Sequence, residues 1–414
     1  MSTEICFFTF GLNEQMKRLQ PWRYYFEVIS NQTVFDDIEV YAISSEPNLT
    51  TEEWKNMDGI SIYAVPEINP LGRDKSRLRD YFSELDPDIV VWPVDQFTFL
   101  YRNIISELES KVVGVCPGIW YDFDLIRNTT VSELIRNIDE TAIPLLMSIV
   151  PDWLESRSFR GEYFDKIITF SEDTRKTLIR QRFSENLSKS IPPGLSSDDF
   201  HQPSAEVLRK ARKKGKSSQE DFTVLYMGSP LSIRGLDTTI DAVKYASKEI
   251  NNLNCIVLSR RHTDPETGEV HYADHEEWIK EYCSKNQVQD IVSIVPGFLS
   301  REEVRSFISI SDAVCLPFKT LQADMPLSIL EVLALGRIPI STTVGGIPEL
   351  VQGENRRGYA IEPNSPEQLA SRLVDLHSDN QLRESIQSNA KNYAFECHPT
   401  WVEVSKEFYS FCLE

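Results

Sequence analysis

The first 200 residues contain no histidine, and the six that follow, from His201 onward, form no convincing ligand set for a metal ion. Cysteine is sparse and unpatterned. Cys6, Cys116, Cys255, Cys283, Cys315, Cys397 and Cys412 are odd in number, and no pair has zinc or redox spacing. Several lie in apolar strand-like runs, so reduced, buried thiols of a cytosolic protein are expected. No cationic leader precedes an apolar core, and no apolar run approaches the length needed to span a bilayer. The expectation is a cytoplasmic protein, with peripheral membrane contact left open; triplets such as Asn128-Thr129-Thr130 then fall to chance rather than glycosylation. Positive charge is also short. With 43 Lys and Arg against 63 Asp and Glu, the net charge of -20 argues against a general nucleic-acid binder. The basic cluster from Arg209 to Lys216 reads as a solvated loop or helix face.

What is present is a repeating pattern. Short, mostly apolar runs at Glu4–Phe10, Ile38–Ile43, Ile60–Val65, Ile89–Trp92, Lys111–Cys116 and Lys166–Phe170 have the character of strands covered on both faces. Helical sequence lies between several of them, as at Asp74–Leu85 and Phe99–Leu108. The alternation implies crossovers and a largely parallel sheet. Residues 120–164 depart from it, with aromatic and amphipathic segments at Thr130–Ile138 and Ala142–Leu154. Material inserted after a strand's carboxyl end lies where such sheets bind ligands, so this segment is either acceptor recognition or extra packing. Ser190–Leu195 closes the half with a rigid Pro-Pro-Gly turn.

The pattern then repeats. Strand-like runs occur at Phe222–Met227, Asn254–Leu258, Ile291–Val295, Ala313–Leu316, Ile338–Ile340 and Gly358–Ile361, with helices such as Leu236–Ser247, His275–Lys285 and Arg301–Ile308 between them. The 414 residues are too many for one ordinary core. The expected fold class is α/β, with two doubly wound Rossmann-like domains facing a cleft. The expected boundaries are 1–195, a linker at 196–220, a second domain at 221–395, and a C-terminal helix at 396–414 packing back on the first.

One stretch, Asp324 to Glu349, carries the strongest chemical signal. Pro326 suits the first position of a helix and Gly336 its stop. Between them Glu331 is the sole ionisable side chain among Leu, Ile, Val and Ala. A buried carboxylate needs a partner, and the helix N-terminus beside it is an anion site. A ligand bearing hydroxyls and phosphates satisfies both.

With this stretch, several passages resemble the retaining glycosyltransferases of the GT-B architecture, of the family-4 or glycogen-synthase-like group. They are Phe164–Ser171 with Ile191-Pro192-Pro193-Gly194, Val224–Gly228 followed by Arg234-Gly235, and Pro296–Leu299 with Glu302-Glu303 and Ser311-Asp312-Ala313. The resemblance implies a metal-independent hexosyltransferase whose donor, a nucleotide sugar, binds the second domain, and whose acceptor is a glycan, a lipid-linked sugar or a small molecule. It also implies site residues. Glu331 would hold the ribose hydroxyls, the alternative being a paired helix acid. Arg234, where the family usually has Lys, would meet the donor diphosphate, the alternative being a surface arginine. Phe298 and Leu299 would pass the base. Leu327 and Ser328 would offer backbone N–H groups, and Gly11 and Gly228 would let backbone approach the ligand, plain turns being the alternative.

Three departures matter. The family's first motif glutamate falls at Ala323, with Asp324 next door. Asp324 either replaces it against the transferred sugar or simply offsets the helix dipole by roughly 0.3–1 kcal/mol. The family's basic residue after the glycine turn is replaced by Ser229; Arg260 or Arg261 is a candidate substitute, the alternative being a solvated pair at a strand end. The usual first-domain histidine is absent; Cys116–Tyr121 stands there, with Trp120 and Tyr121 either stacking on sugar or packing. The expectation is therefore a glycosyltransferase with catalytic residues Asp324 and Arg234. The alternative is a catalytically degenerate GT-B protein acting as a carbohydrate-binding or partner subunit. An epimerase is disfavoured by the missing histidine.

Overall fold

The computed structural model describes residues 2–12, 22–46, 49–68, 75–121, 127–130, 133–134, 138–157, 163–260, 262–263, 270–271 and 275–414. The first half forms a sheet of β1 (Thr3–Phe10), β2 (Ile38–Glu46), β3 (Glu53–Met57), β4 (Ile60–Pro66), β5 (Ile89–Pro93), β6 (Lys111–Cys116), β7 (Lys166–Thr169) and β8 (Ser188–Ser190). Their order is β3-β4-β2-β1-β5-β6-β7-β8, parallel throughout except for the β3–β4 pair. Along β1, Ile5 and Phe7 enter one core and Cys6 and Phe8 another, the period of two expected of a strand buried on both faces. The strands missing from the sequence reading, β3 and β8, lie at the sheet's two edges. Their segments, EWKNM and SKS, lack an apolar run because only one side of each needs covering.

The second sheet contains β9 (Phe222–Tyr226), β10 (Leu253–Arg260), β13 (Val292–Gly297), β14 (Ala313–Leu316), β15 (Ile338–Thr342) and β16 (Tyr359–Ile361), in the parallel order β13-β10-β9-β14-β15-β16. Two short strands, β11 (His262–Thr263) and β12 (Val270–His271), pair in a separate ribbon. The helices that matter below are α1 (Trp22–Ser30), α2 (Lys75–Leu85), α3 (Ile138–Ser148), α4 (Glu172–Arg180), α5 (Ala205–Lys214), α6 (Leu236–Ala246), α7 (His275–Asn286), α8 (Arg301–Ile310), α9 (Leu327–Ala334) and α10 (Trp401–Leu413).

Two expected helices are broken. Thr98–Leu100 is a 3-10 turn and Arg102–Ile105 a single helical turn. There the Asp95 carboxylate accepts from Phe97 N–H (2.8 Å) and the Thr98 hydroxyl from Asp95 N–H (2.9 Å), local bonds that compete with helix. The 142–154 segment ends as α3 at Ser148 and resumes at Asp152, because Pro151 has no N–H to continue the ladder. The expected Thr130–Ile138 helix lies partly outside the described residues. The basic cluster forms the exposed side of α5, where Lys214 pairs with Glu303 at 2.9 Å.

The chain returns to its first domain at the end. In α10, Phe408 stacks on Phe7 with centroids 5.5 Å apart, and the Tyr409 hydroxyl donates to Val28 O. The halves also meet across their strand ends. Gly118 and Ala323 form an antiparallel bridge, and the Tyr121 hydroxyl donates to Leu321 O at 2.8 Å. Among the described residues, no helix is long and apolar enough to cross a membrane.

Candidate active site

The site is built from loops that leave the carboxyl ends of parallel strands, the usual ligand position in such sheets. After β9 the chain turns at Gly228. The Tyr226 hydroxyl donates to Ser229 O (2.6 Å) beneath that turn, and a Cβ on Gly228 would sit 2.9 Å from the Tyr226 hydroxyl oxygen. A 3-10 turn then delivers Arg234, and Gly235 follows at φ +83° with its α-carbon against Pro317, where an added Cβ would meet the carbonyl at 2.0 Å. Arg234 is half-buried and its Nη1 donates to Thr320 O at 3.3 Å. Its charge also acts on Tyr121 from the first domain: burial raises the phenol's pKa and Arg234 opposes the rise.

After β13, Gly297 takes φ +109° and Phe298 is 60% exposed, while Leu299 packs into the core. This leaves an open aromatic face at the strand end. After β14 the chain runs to α9. Pro326 stands one position earlier than expected, as the residue capping the helix, and Gly336 ends it at φ +65°. Pro326 makes no side-chain cap at the start of the helix, and the first turn, with Leu327 and Ser328, carries no acid.

Glu331 is one turn further on and is paired across domains. Its Oε1 lies 3.7 Å from Arg23 Nη1 of α1 and 3.9 Å from Arg301 Nη2 of α8. Both guanidinia also pair with buried Asp199, which Arg305 approaches at 3.7 Å. Arg23 was not anticipated. Its signal was the same as that of Glu331, the one cation in a helix otherwise rich in aromatic and aliphatic residues. Gly11, at the end of β1, has φ +70° and open space around its α-carbon, with its N–H bound to Ser45 O.

Asp324 is placed differently from a sugar-facing carboxylate. It is fully buried, its N–H donates to Pro117 O, and its Oδ1 accepts from Gly346 N–H at 2.8 Å. Oδ2 is buried and, among the described residues, makes no well-aligned hydrogen bond, although the Ser171 and Thr174 hydroxyls stand beside the carboxylate. Burial pushes its pKa from 3.8 up to about 6, partly offset by the hydroxyls of Ser171 and Thr174 and by Gly346 N–H. The Gly345-Gly346 turn it supports has to be glycine, since a Cβ at either position would lie 2.6 Å from Ile119 or Ser171 of the first domain. Next to it, the Glu349 carboxylate accepts from the N–H groups of Glu172 and Asp173, so the second domain caps α4 of the first. The substitute suggested for Ser229 was Arg260 or Arg261; Arg261 and the side chain of Arg260 lie outside the described residues.

Between the domains is a cavity of about 1070 Å³. Its walls include Trp120, Trp153, Glu155 and Gln181 from the first half and Thr320, Gly345 and Asn364 from the second. Glu155 is 3% exposed and accepts from Gln96, Gln181 and the Trp120 indole N–H, which fixes that ring at the wall. Lys319, also buried, lines this cavity with its Nζ between Glu133 Oε1 (2.5 Å) and Asp237 Oδ2 (2.7 Å). Burial acts to raise Glu133, but Lys319 and Thr130 outweigh it and its pKa falls; burial of Asp237 prevails and raises its pKa. Arg234 reaches this cavity's edge through Thr320, whereas Phe298, Leu299 and Glu331 lie outside its lining.

The whole chain superposes on a glycosyltransferase from Rickettsia africae with a TM-score of 0.69 at 15% identity, covering 100% of this chain and 99% of that one. Anabaena HepE in complex with UDP gives 0.69 at 14% identity, covering 99% of both. The fold is GT-B. Within it, residues 208–393 match the model of the family Glycosyl transferases group 1. Sequence relatives include the alpha-D-kanosaminyltransferase of Streptomyces kanamyceticus, 22% identical over 196 residues, 47% of each chain. The putative colanic acid biosynthesis glycosyltransferase WcaL of Salmonella typhimurium is 30% identical over 118 residues, 27% of this chain and 29% of that one. The alignments thus span half or less of these two relatives. In the GT-B frame, the 208–393 match covers Gly228, Arg234, Phe298, Leu299, Leu327, Ser328 and Glu331, whereas Gly11 and Arg23 come from the other domain.

Proposed function

We propose that this chain is a glycosyltransferase that moves a hexose from a nucleotide sugar on its second domain to an acceptor hydroxyl in the interdomain cavity, with retention of configuration. The observation that carries the proposal is that Arg234 follows β9 and the N-terminus of α9, with Glu331 one turn further on, follows β14, two paired strands of the second sheet of a GT-B fold. In this reading Glu331 accepts from the ribose hydroxyls, and the exposed ring of Phe298 with the Leu299 backbone flanks the base. Arg234 and the first-turn N–H groups of Leu327 and Ser328 receive the charge that builds on the leaving diphosphate. No metal is then needed. Gly11 and Gly228 let backbone come close to the ligand. Arg23 and Arg301 flank the Glu331 carboxylate and orient it. No enzymic nucleophile is assigned; positioning and charge stabilisation supply the catalysis.

Asp324 enters as a positioning residue, holding the glycine turn against the first domain. Anabaena HepE has been crystallised with UDP-glucose, which makes UDP-glucose the first donor to try. A second reading, a carbohydrate-binding protein without turnover, is favoured by the burial of Asp324 and by Ser229 in place of a cation. Incubation with UDP-, GDP- and ADP-sugars in EDTA, following nucleoside diphosphate release and the anomeric proton of the product, separates the two. Release in EDTA with the donor's anomeric configuration in the product is expected. Inversion contradicts the mechanism, dependence on added metal contradicts the charge assignment, and donor binding without release favours the second reading.

A further inference from the structure

A second cavity, of about 540 Å³, adjoins the first and shares Arg127, Asn128, Lys319 and Asn364 with it. The Lys319 ammonium, held by Glu133 and Asp237, stands in the wall common to both. The far wall is an aromatic platform on α7. Trp278 is half-buried and packs on Tyr282 with ring centroids 5.5 Å apart at 31°, and the Tyr282 hydroxyl is anchored to the Asp241 carboxylate at 3.0 Å. The platform is therefore preorganised before any ligand arrives, which lowers the cost of binding. Charge nearly cancels around it. Arg127, Lys285 and Lys319 face Glu133 and Asp237, a lining suited neither to a polyanion nor to a cation. An aromatic face among amide, hydroxyl and balanced charged groups suits a neutral, hydroxyl-rich ring with one apolar side.

The first cavity by itself is at the upper end of the roughly 300–1,000 Å³ typical of small-molecule sites, more than one monosaccharide needs. We propose that the acceptor is an oligosaccharide of at least two units, with the reacting unit in the large cavity and a more distant unit resting on Trp278. The inference rests on the transferase reading for which cavity holds the reacting hydroxyl. The second subsite itself is defined by the α7 platform.

The test is saturation-transfer NMR with UDP present, using methyl glucoside, methyl galactoside and methyl mannoside beside their di- and trisaccharides. UDP affinity is titrated separately. At least one oligosaccharide series is expected to bind tenfold or more tightly than its monosaccharide, with saturation on a unit beyond the first. Trp278→Ala should abolish that gain and Trp278→Phe retain part of it, while UDP affinity and the melting temperature stay within error for the Phe variant. Equal binding of monosaccharide and oligosaccharide, no binding of any oligosaccharide, or a length preference unchanged in Trp278→Ala overturns the subsite. Failure of UDP to bind while the length preference persists would instead overturn the donor reading and leave the subsite supported.

Discussion

Replacing Asp324 by Asn should stabilise the protein at alkaline pH, and the effect can be worked from the structure. The Asp324 carboxyl titrates at about 6 in the folded protein against 3.8 as its ordinary value, because burial penalises the charged form. A folded-state pKa raised above the unfolded one means that the folded state binds more protons between the two values. The stability this group contributes is complete below about pH 3.8 and is lost as pH rises through about 6. The full loss corresponds to about 3 kcal/mol. Asn does not titrate, its oxygen can keep the bond from Gly346 N–H, and its new N–H groups have the Ser171 and Thr174 hydroxyls as partners. Urea unfolding of both proteins at the same series of pH values isolates the term, since every other group cancels in the difference. The advantage of Asp324→Asn over wild type should grow by about 2 kcal/mol between pH 4 and pH 8. A difference that stays flat, or that favours wild type at pH 8, refutes the argument. It would mean an ionised, well-partnered Asp324, and would restore this residue as a candidate for a charged sugar contact.

Three further substitutions test other parts of the site. Lys319→Met leaves the Glu133 and Asp237 carboxylates without their shared ammonium and should cost about 3 kcal/mol in thermal unfolding, with faster hydrogen exchange over residues 127–134; unchanged exchange there would show that the clasp does not tie this segment to the second domain. Gly235→Ala combines a left-handed backbone with a Cβ placed 2.0 Å from Pro317 O, so it should cost well over the roughly 1–2 kcal/mol of the backbone conformation alone and weaken donor binding through Arg234. Gly297→Ala, with the same sign of φ and open space around it, should cost only that backbone term.

The architecture was legible because both sheets are parallel and buried on both faces, so runs such as Ile89–Trp92 and Ala313–Leu316 stand out as continuous apolar segments. Edge strands such as β3 escaped because their register is set by the neighbour they pair with and not by their own polarity. In the site, Glu331 could be read locally, since a lone acid in an apolar helix requires a partner. Its partners could not, because Arg23 lies 308 residues away and meets it only where the domains face each other, and Arg301 lies 30 residues away on a different helix of the second domain. Asp324 shows the converse. Its position beside α9 pointed equally to a sugar ligand or a helix-dipole acid. Its burial depends on Pro117, Gly118 and the Gly345-Gly346 turn, which no spacing along the chain reveals. Trp278 likewise acquires a cavity only where residues 127–130 and Glu133 meet the second domain.

The central claim is that Glu331 and Arg234 hold a nucleotide sugar on the second domain. Calorimetric titration of UDP-glucose, GDP-mannose and ADP-glucose into wild type, Glu331→Ala and Arg234→Ala tests it most directly. One donor should bind wild type, and each substitution should weaken it tenfold to about a hundredfold, the worth of a charged hydrogen bond of about 1.5–3 kcal/mol. No binding by wild type, or equal affinity in all three proteins, would contradict the account.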